Sequence, residues 1–345
     1  MKVGLVLSGG GAKGAYQAGI IEAFAEYNLE VTMISGASIG ALNGALVSAS
    51  GNIAIAAERL AIVWDLIATK DILKINSELY PRYLTMLAAA GLTGVGQLGL
   101  GLLAGWAEGS KADIGFVDTS PLTDVLNHYI NPQELSQGTP LYVALYPYRG
   151  RLHAIKEFIT GEVMKRFDTQ NSVFKHVQSL SFEEQKEALL ASAAIPVLFS
   201  PRKVGGRLYS DGGQGNYKKA QGNTPITPLL DQGLDVILVS HLENGSLWNI
   251  DDFPNENIIE LRPSKKIAEK GIRDTLGFDA GSITRWRAQG KADTVQLLEK
   301  LVRFARNRTH LIESRTVLQD KVGLSNGSLQ SRSLEQTMAK LKKKE

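Results

Sequence analysis

The sequence of 345 residues predicts an α/β fold built on a mainly parallel central sheet. Three observations carry this prediction. Two short apolar runs, residues 2–7 and 31–35, each pass through a glycine-bearing turn into a helical pattern. The runs at 235–240 and 257–261 are apolar over most of their length, as strands buried on both faces should be. A helical pattern over residues 15–27 separates the first two strands, as a parallel crossover requires.

Taken in order, residues 2–7 form the first strand and residues 15–27 the first helix, with Ser8-Gly9-Gly10-Gly11-Ala12-Lys13-Gly14 between them. Three successive glycines leave backbone N–H groups free to point at an anion. Gly9, Gly11 and Gly14 also satisfy G-x-G-x-x-G, but the acidic residue that a dinucleotide site needs after the second strand is missing. An oxyanion-binding loop fits better. The second strand runs into Gly36-Ala37-Ser38-Ile39-Gly40, a G-x-S-x-G turn from strand to helix. Such a turn holds its serine in a strained backbone position at the positive end of the helix over 38–48. The plainer reading is that Ser38 only caps that helix.

Residues 52–69 read as an amphipathic helix whose core positions are expected at Ile55, Leu60, Ile62, Val63, Trp64 and Ile67. The stretch 84–106 is apolar and glycine-rich, a poor rigid helix, and suits a lid or interfacial insertion spanning about 84–110 or a close-packed helix pair. Ser120 and Pro121 open another helix. Residues 141–148 alternate as a strand, with 152–159 as a candidate hairpin partner. A helix over 182–194 carries Glu183, Glu184 and Glu187 in its first turns. A short strand over 207–210 leads into Asp211-Gly212-Gly213, and a basic helical pattern begins near residue 282.

Composition narrows the function classes. The chain has no cysteine, so disulfides and cysteine-ligated metals are excluded, and a reducing, cytoplasmic setting is expected. The N-terminal apolar run is too short for a signal-peptide core, and no uncharged stretch of about twenty apolar residues spans a bilayer. Residues 262–345 hold 19 basic against 9 acidic side chains, which points to an anionic partner such as a membrane surface, or to a solvated helical face.

A nucleophilic Ser38 needs an oxyanion hole and a base. Gly9, Gly10 and Gly11 are candidates for the hole, joined by the N–H of Ile39. For the base, the residues leave two designs open: a triad Ser38–Asp211–His241, or a dyad Ser38–Asp211. Of the five histidines only His241 follows a buried strand closely.

The combination resembles the patatin-like phospholipases, a family of lipid acyl hydrolases. Three blocks carry the resemblance: the glycine loop from Ser8 to Ala15, the elbow from Gly36 to Gly44, and Asp211-Gly212-Gly213. The segments from Ala191 to Pro201 and from Asp118 to Leu122 are also similar to the family's. The resemblance implies a three-layer α/β/α sandwich and a catalytic dyad, with Ser38 as nucleophile and Asp211 as base. It implies an oxyanion loop at Gly9, Gly10 and Gly11, supported by Lys13, Gly14, Gly36, Gly40, Gly212 and Gly213, and no metal or other cofactor. A phospholipase A or lysophospholipase is therefore expected, with residues 1–240 as the catalytic domain. Residues 241–345 would add the last strands and a basic helical extension packed on the same domain.

The expected substrate is a phospholipid or lysophospholipid at a membrane surface, with peripheral membrane association. Some bacterial members are toxins and others are antiviral effectors switched on by cyclic nucleotides. The resemblance thus makes a cyclic nucleotide a candidate activator and a homo-oligomer a candidate assembly; no nucleic-acid polymer is expected. The chain departs from the family pattern at residues 217–222, an apparent inserted loop ahead of Asn223-Thr-Pro-Ile near the mouth of the site. The rival readings are a triad esterase and a non-catalytic nucleotide-binding or scaffold protein.

Overall fold

The computed structural model describes residues 1–69, 74–75, 117–118, 120–150, 168–195, 199–243, 247–267 and 277–341. The elements are β1 (Val3–Leu7), α1 (Ala15–Glu26), β2 (Met33–Gly36), α2 (Ile39–Ser48), α3 (Ile53–Thr69), β3 (Lys74–Ile75), β4 (Val117–Asp118), α4 (Ser120–Tyr129), α5 (Pro132–Gln137), β5 (Leu141–Pro147), β6 (Val173–His176), α6 (Phe182–Ser192), β7 (Arg202–Val204), β8 (Arg207–Asp211), β9 (Val236–Ser240), β10 (Ile258–Leu261) and α7 (Ala280–Leu341).

The central sheet runs β10-β9-β1-β2-β5-β8-β7, with β6 also paired to β5. Its first five strands are parallel. Strands β6 and β8 are antiparallel to β5, and β7 is antiparallel to β8. The β7–β8 hairpin closes through Gly205 and Gly206, at φ 57° and 77°. Both values lie in the left-handed region that a two-residue turn of this hand needs and that side chains avoid. Strands β3 and β4 form a separate antiparallel pair. The architecture is α/β with a mainly parallel sheet flanked by helices, as the apolar runs predict.

Register sets the place of the site. Leu7 of β1 stands beside Gly36 of β2 and Ser240 of β9, so these three strands end level with one another. Chain leaving their carboxyl ends gathers at one edge of the sheet, where open α/β sheets bind their ligands. On one face, α2 packs through Gly44 against Leu7, Ile34 and Leu141. The opposite face carries Val6, Ile237 and Val239, buried with Ile226, Leu229 and Trp248. Among the described residues, the elements over that face are 3-10 turns, Thr227–Leu229 within the cluster and Ile250–Asp252 beside it.

Two core positions expected on α3 are corrected. Ile55 is 40% exposed and Ile62 is 53% exposed. The buried stripe is Ile53, Ala56, Ala57, Leu60, Val63, Trp64 and Ile67. At 3.6 residues per turn these share one face, while 55 and 62 fall on the other. The lid segment at 84–110 and the hairpin partner at 152–159 lie outside the described residues.

The chain divides into two compact units, Met1–Thr294 and Val295–Glu345. The first holds the central sheet and the opening stretch of α7. The described part of the second, residues 295–341, is the remainder of that helix, with Phe304 and Leu318 exposed along it. Among the described residues, no helix is long and apolar enough to cross a membrane.

Candidate active site

The turn between β2 and α2 places Ser38 at φ 52° and ψ −125°. A non-glycine residue held there costs about 1–3 kcal/mol, so the surrounding structure must impose it. Gly36 and Gly40 explain how. A Cβ on Gly36 would stand 2.5 Å from the Gly40 carbonyl oxygen, and one on Gly40 would overlap the carbonyl oxygen of Leu7. The turn is thus pressed against the end of β1. Ser38 occupies the N-cap position of α2, yet its side chain makes no capping hydrogen bond, so the plain capping role fails. Its N–H donates to Ser192 Oγ at 3.1 Å, and Ser192 Oγ donates to the Ala144 carbonyl at 2.8 Å. This ties the elbow to α6 and β5.

The glycine loop runs alongside. Its two ends are pinned by a buried polar network. Gln17 Nε2 donates to the Ser8 carbonyl at 2.8 Å, and Asn43 Nδ2 donates to the Gly14 carbonyl at 3.0 Å and to Gln17 Oε1 at 2.9 Å. Trp64 Nε1 completes it by donating to Asn43 Oδ1 at 3.1 Å. Every polar member is paired, which is the condition under which a buried network rigidifies a site. Within the loop Gly11 has φ 59°.

Gly9 requires a correction. Its N–H donates to the Asn223 carbonyl at 3.0 Å, so it is not free for an oxyanion. Glycine is required at 9 for close approach instead: a Cβ there would stand 2.5 Å from Asn223 Oδ1 and 3.1 Å from Ser38 Cβ. The N–H groups of Gly10, Gly11 and Ile39 have no backbone acceptor among the described residues. Lys13 is buried, and its ammonium donates to Glu243 Oε1 at 2.9 Å. Its stem lies against Gly10, where a Cβ would be 3.2 Å from Lys13 Cε.

Asp211 ends β8, opposite Leu145 of β5. Its N–H donates to the Ala194 carbonyl at 2.9 Å, and its Oδ1 accepts from the Gly213 N–H at 2.8 Å. A Cβ on Gly212 would overlap the Ala144 carbonyl oxygen, so only glycine lets this turn sit on β5. A Cβ on Gly213 would stand 2.8 Å from Asn223 Oδ1 and 3.0 Å from Asp211 Oδ1. The Asn223 side chain therefore adjoins both Gly9, which touches Ser38, and Gly213, which touches Asp211. The departure at 217–222 builds this bridge. The Gly222 N–H donates to the Gly215 carbonyl at 2.9 Å, which packs the loop on the Asp-Gly-Gly turn and delivers Asn223.

Ser38, the glycine loop and Asp211 are thus gathered at the carboxyl edge of the sheet. A hydroxyl at a helix N-terminus, beside N–H groups that no described backbone acceptor takes and a carboxylate, can perform acyl transfer. Nothing in the local sequence marks Ser192, Gln17, Asn43 and Trp64 as supports of the site, or shows that Asn223 bridges its two halves. Ser192 lies in the segment beginning at Ala191 that carries part of the family resemblance.

His241 is engaged elsewhere. It is 1% exposed, packs against Trp248 with ring centroids 5.3 Å apart, and places Nε2 3.0 Å from Glu260 Oε1. Burial pushes the imidazole below its ordinary 6.5, while Glu260 partly opposes that shift. The hydrogen bond from His241 holds Glu260 down at about 2, helped by Arg262 and opposed by burial. Both depressed groups bind protons more readily once unfolded, so each stabilises at higher pH and loses that stabilisation as pH falls. The histidine contribution is lost below 6.5, and the glutamate contribution from 4.5 down through about 2. Unfolding free energy by urea titration is expected to decline across both windows. Glu260→Gln should flatten the lower one; an unchanged slope there would refute the assignment.

The family model described as Patatin-like phospholipase matches residues 5–230. Over 79 residues, 23% of this chain, the sequence is 42% identical to the neuropathy target esterase sws of Drosophila melanogaster, of which 6% is covered. The same protein of Drosophila persimilis is 40% identical over 79 residues, 23% of this chain and 5% of that protein. The matched segment is thus a small fraction of these curated relatives. VipD from Legionella pneumophila is similar over 87% of this chain and 67% of its own, at 15% identity and a TM-score of 0.37. The ExoU–SpcU complex of the Pseudomonas aeruginosa type III secretion system matches at 18% identity over 87% of this chain and 51% of that one, with a TM-score of 0.36.

Proposed function

Since this chain belongs to the patatin-like phospholipase family, we propose that it is a lipid acyl hydrolase, a phospholipase A or lysophospholipase, working through a Ser38–Asp211 dyad. Asp211 takes the proton as Ser38 Oγ attacks the ester carbonyl. The N–H groups of Gly10, Gly11 and Ile39 stabilise the oxyanion; as it collapses, Asp211 gives the proton to the departing alcohol oxygen of the lipid, which leaves an acyl-enzyme and a carboxylate ready to act again. Water activated by Asp211 then releases the fatty acid and restores Ser38. The observation that carries this reading is the backbone of Ser38: a serine held at positive φ with no capping bond has a cost that capping does not explain.

The dyad is favoured over the triad because His241 Nε2 is occupied by Glu260. The extension from Val295, with 11 basic against 5 acidic residues to the end of the chain, suits peripheral contact with an anionic lipid surface. The proposed catalytic residues lie within residues 1–240, and β10 and the opening stretch of α7 complete the same compact unit, Met1–Thr294.

The test is chemical. A fluorophosphonate probe should label the full chain at Ser38, and mass spectrometry of phospholipid vesicles should show fatty acid and lysolipid, with and without added cyclic nucleotides. Asp211→Asn should lower the rate by roughly a thousandfold, within the range for a lost general base, while His241→Gln should keep it. Equal losses in the two variants would favour the triad. A wild-type protein that neither labels nor releases fatty acid in any arm would favour a non-catalytic binding role.

A further inference from the structure

The first turn of α1 grows directly out of the glycine loop, and Tyr16 lies two residues past Gly14. Tyr16 is fully buried, and its hydroxyl donates to Asp293 Oδ2 at 3.1 Å. Asp293 belongs to the opening stretch of α7, inside the first compact unit. The Ser264 N–H and hydroxyl donate to this carboxylate at 2.9 and 2.5 Å, and Gln289 Nε2 approaches it at 3.5 Å. Burial, reinforced by the Asp293 charge and hydrogen bond, holds the Tyr16 phenol far above the usual tyrosine range, so it remains a donor.

The two helices cross backbone to backbone. A Cβ on Gly290 would overlap the Tyr16 carbonyl oxygen, and one on Gly19 would overlap the Arg287 carbonyl oxygen. Further along α1, Arg287 pairs with Glu22 and Lys291 with Glu26 at 2.6 Å, and Arg287 also reaches Asp65 of α3 at 2.9 Å. Trp286 and Ile283 are buried beside this crossing in sequence. The stretch lies beyond residues 5–230, which the family model matches.

We infer that Asp293, acting through the Tyr16 hydroxyl, is a positioning residue for the glycine loop. The opening turns of α7 then belong to the apparatus that aims the Gly10 and Gly11 N–H groups. Three consecutive glycines have no side chains of their own to hold them. Asn223 holds Gly9, and the rest of the loop takes its place from anchors at either end: Ser8 and Gly14 through Gln17 and Asn43, and the first turn of α1 through Tyr16. Loss of the last anchor lets the donors drift from the oxyanion while leaving the ground-state ester undisturbed.

This inference rests on the serine-hydrolase reading, and the experiment separates the two. Fluorophosphonate labelling of the full chain gives kinact and KI. Tyr16→Phe and Asp293→Asn should each lower kinact about tenfold, a modest share of what a lost oxyanion donor costs, with KI unchanged. Arg287→Gln, which cuts the pairs with Glu22 and Asp65, should lower the thermal midpoint and leave kinact alone. Wild-type kinact in Tyr16→Phe and Asp293→Asn, even with lowered thermal midpoints, would reduce the contact to a structural one and overturn the proposal. An equal fall in Arg287→Gln would also overturn it, by showing that any loosening of the helix pair suffices. An unlabelled wild-type protein would overturn the serine-hydrolase reading, and this inference with it.

Discussion

Ser38→Gly is expected to abolish ester hydrolysis and to raise stability. The rate should fall by roughly four orders of magnitude or more, as when a nucleophile is removed and only binding and the oxyanion site remain. The unfolding free energy should rise by about 1 kcal/mol, because glycine accepts φ 52° without the steric cost that serine bears there. Ser38→Ala should lose the same activity but gain no such stability, since alanine keeps the Cβ that causes the strain. Chemical denaturation of the three proteins, beside their rates on a phospholipid, makes the comparison. If the glycine variant proves less stable than the alanine variant, strain at the elbow is the wrong account.

Gly40→Ala should be among the most destabilising single substitutions in the chain, by about 3 kcal/mol. Helix propensity argues the other way: within α2, alanine for glycine should gain about 1 kcal/mol. Tertiary contact decides. The added methyl would overlap the Leu7 carbonyl oxygen and stand 2.8 Å from that of Ser8, both backbone atoms at the end of β1. Neither can yield without moving the strand that carries the glycine loop. Gly51→Ala provides the contrast. Gly51 has φ +74° with nothing within 4 Å of an added Cβ, so its cost is only the left-handed backbone, about 1–2 kcal/mol. Comparable losses at the two sites in urea titrations would show that the clash at Gly40 is relieved.

The two variants mark what kind of information each level carries. Strand, turn and helix over residues 31–48 are legible in the sequence, because the apolar run, the glycine spacing and the helical pattern are local. The parallel sheet is legible for the same reason: runs apolar without alternation are buried on both faces. The stripe on α3 was less so. Several apolar residues stand on both sides of that helix, and only its packing against α1 and α2 shows that Ile55 and Ile62 face outward.

The candidate site divides the same way. Ser38, Asp211 and the glycines around them follow from residue types in a recognisable order. Gly9 had the expected glycine for a different physical reason. Its N–H is taken by Asn223, 214 positions away in the chain, and no local pattern records such a pairing. The partnership of His241 with Glu260, the Ser192 link between elbow and β5, and the hold of Asp293 on Tyr16 share this character. Sequence by itself determined which groups are available for chemistry, since that depends on residue type and local backbone. Only the tertiary structure decided which of their hydrogen bonds are already taken, because that depends on chain segments distant in sequence meeting at the edge of one sheet.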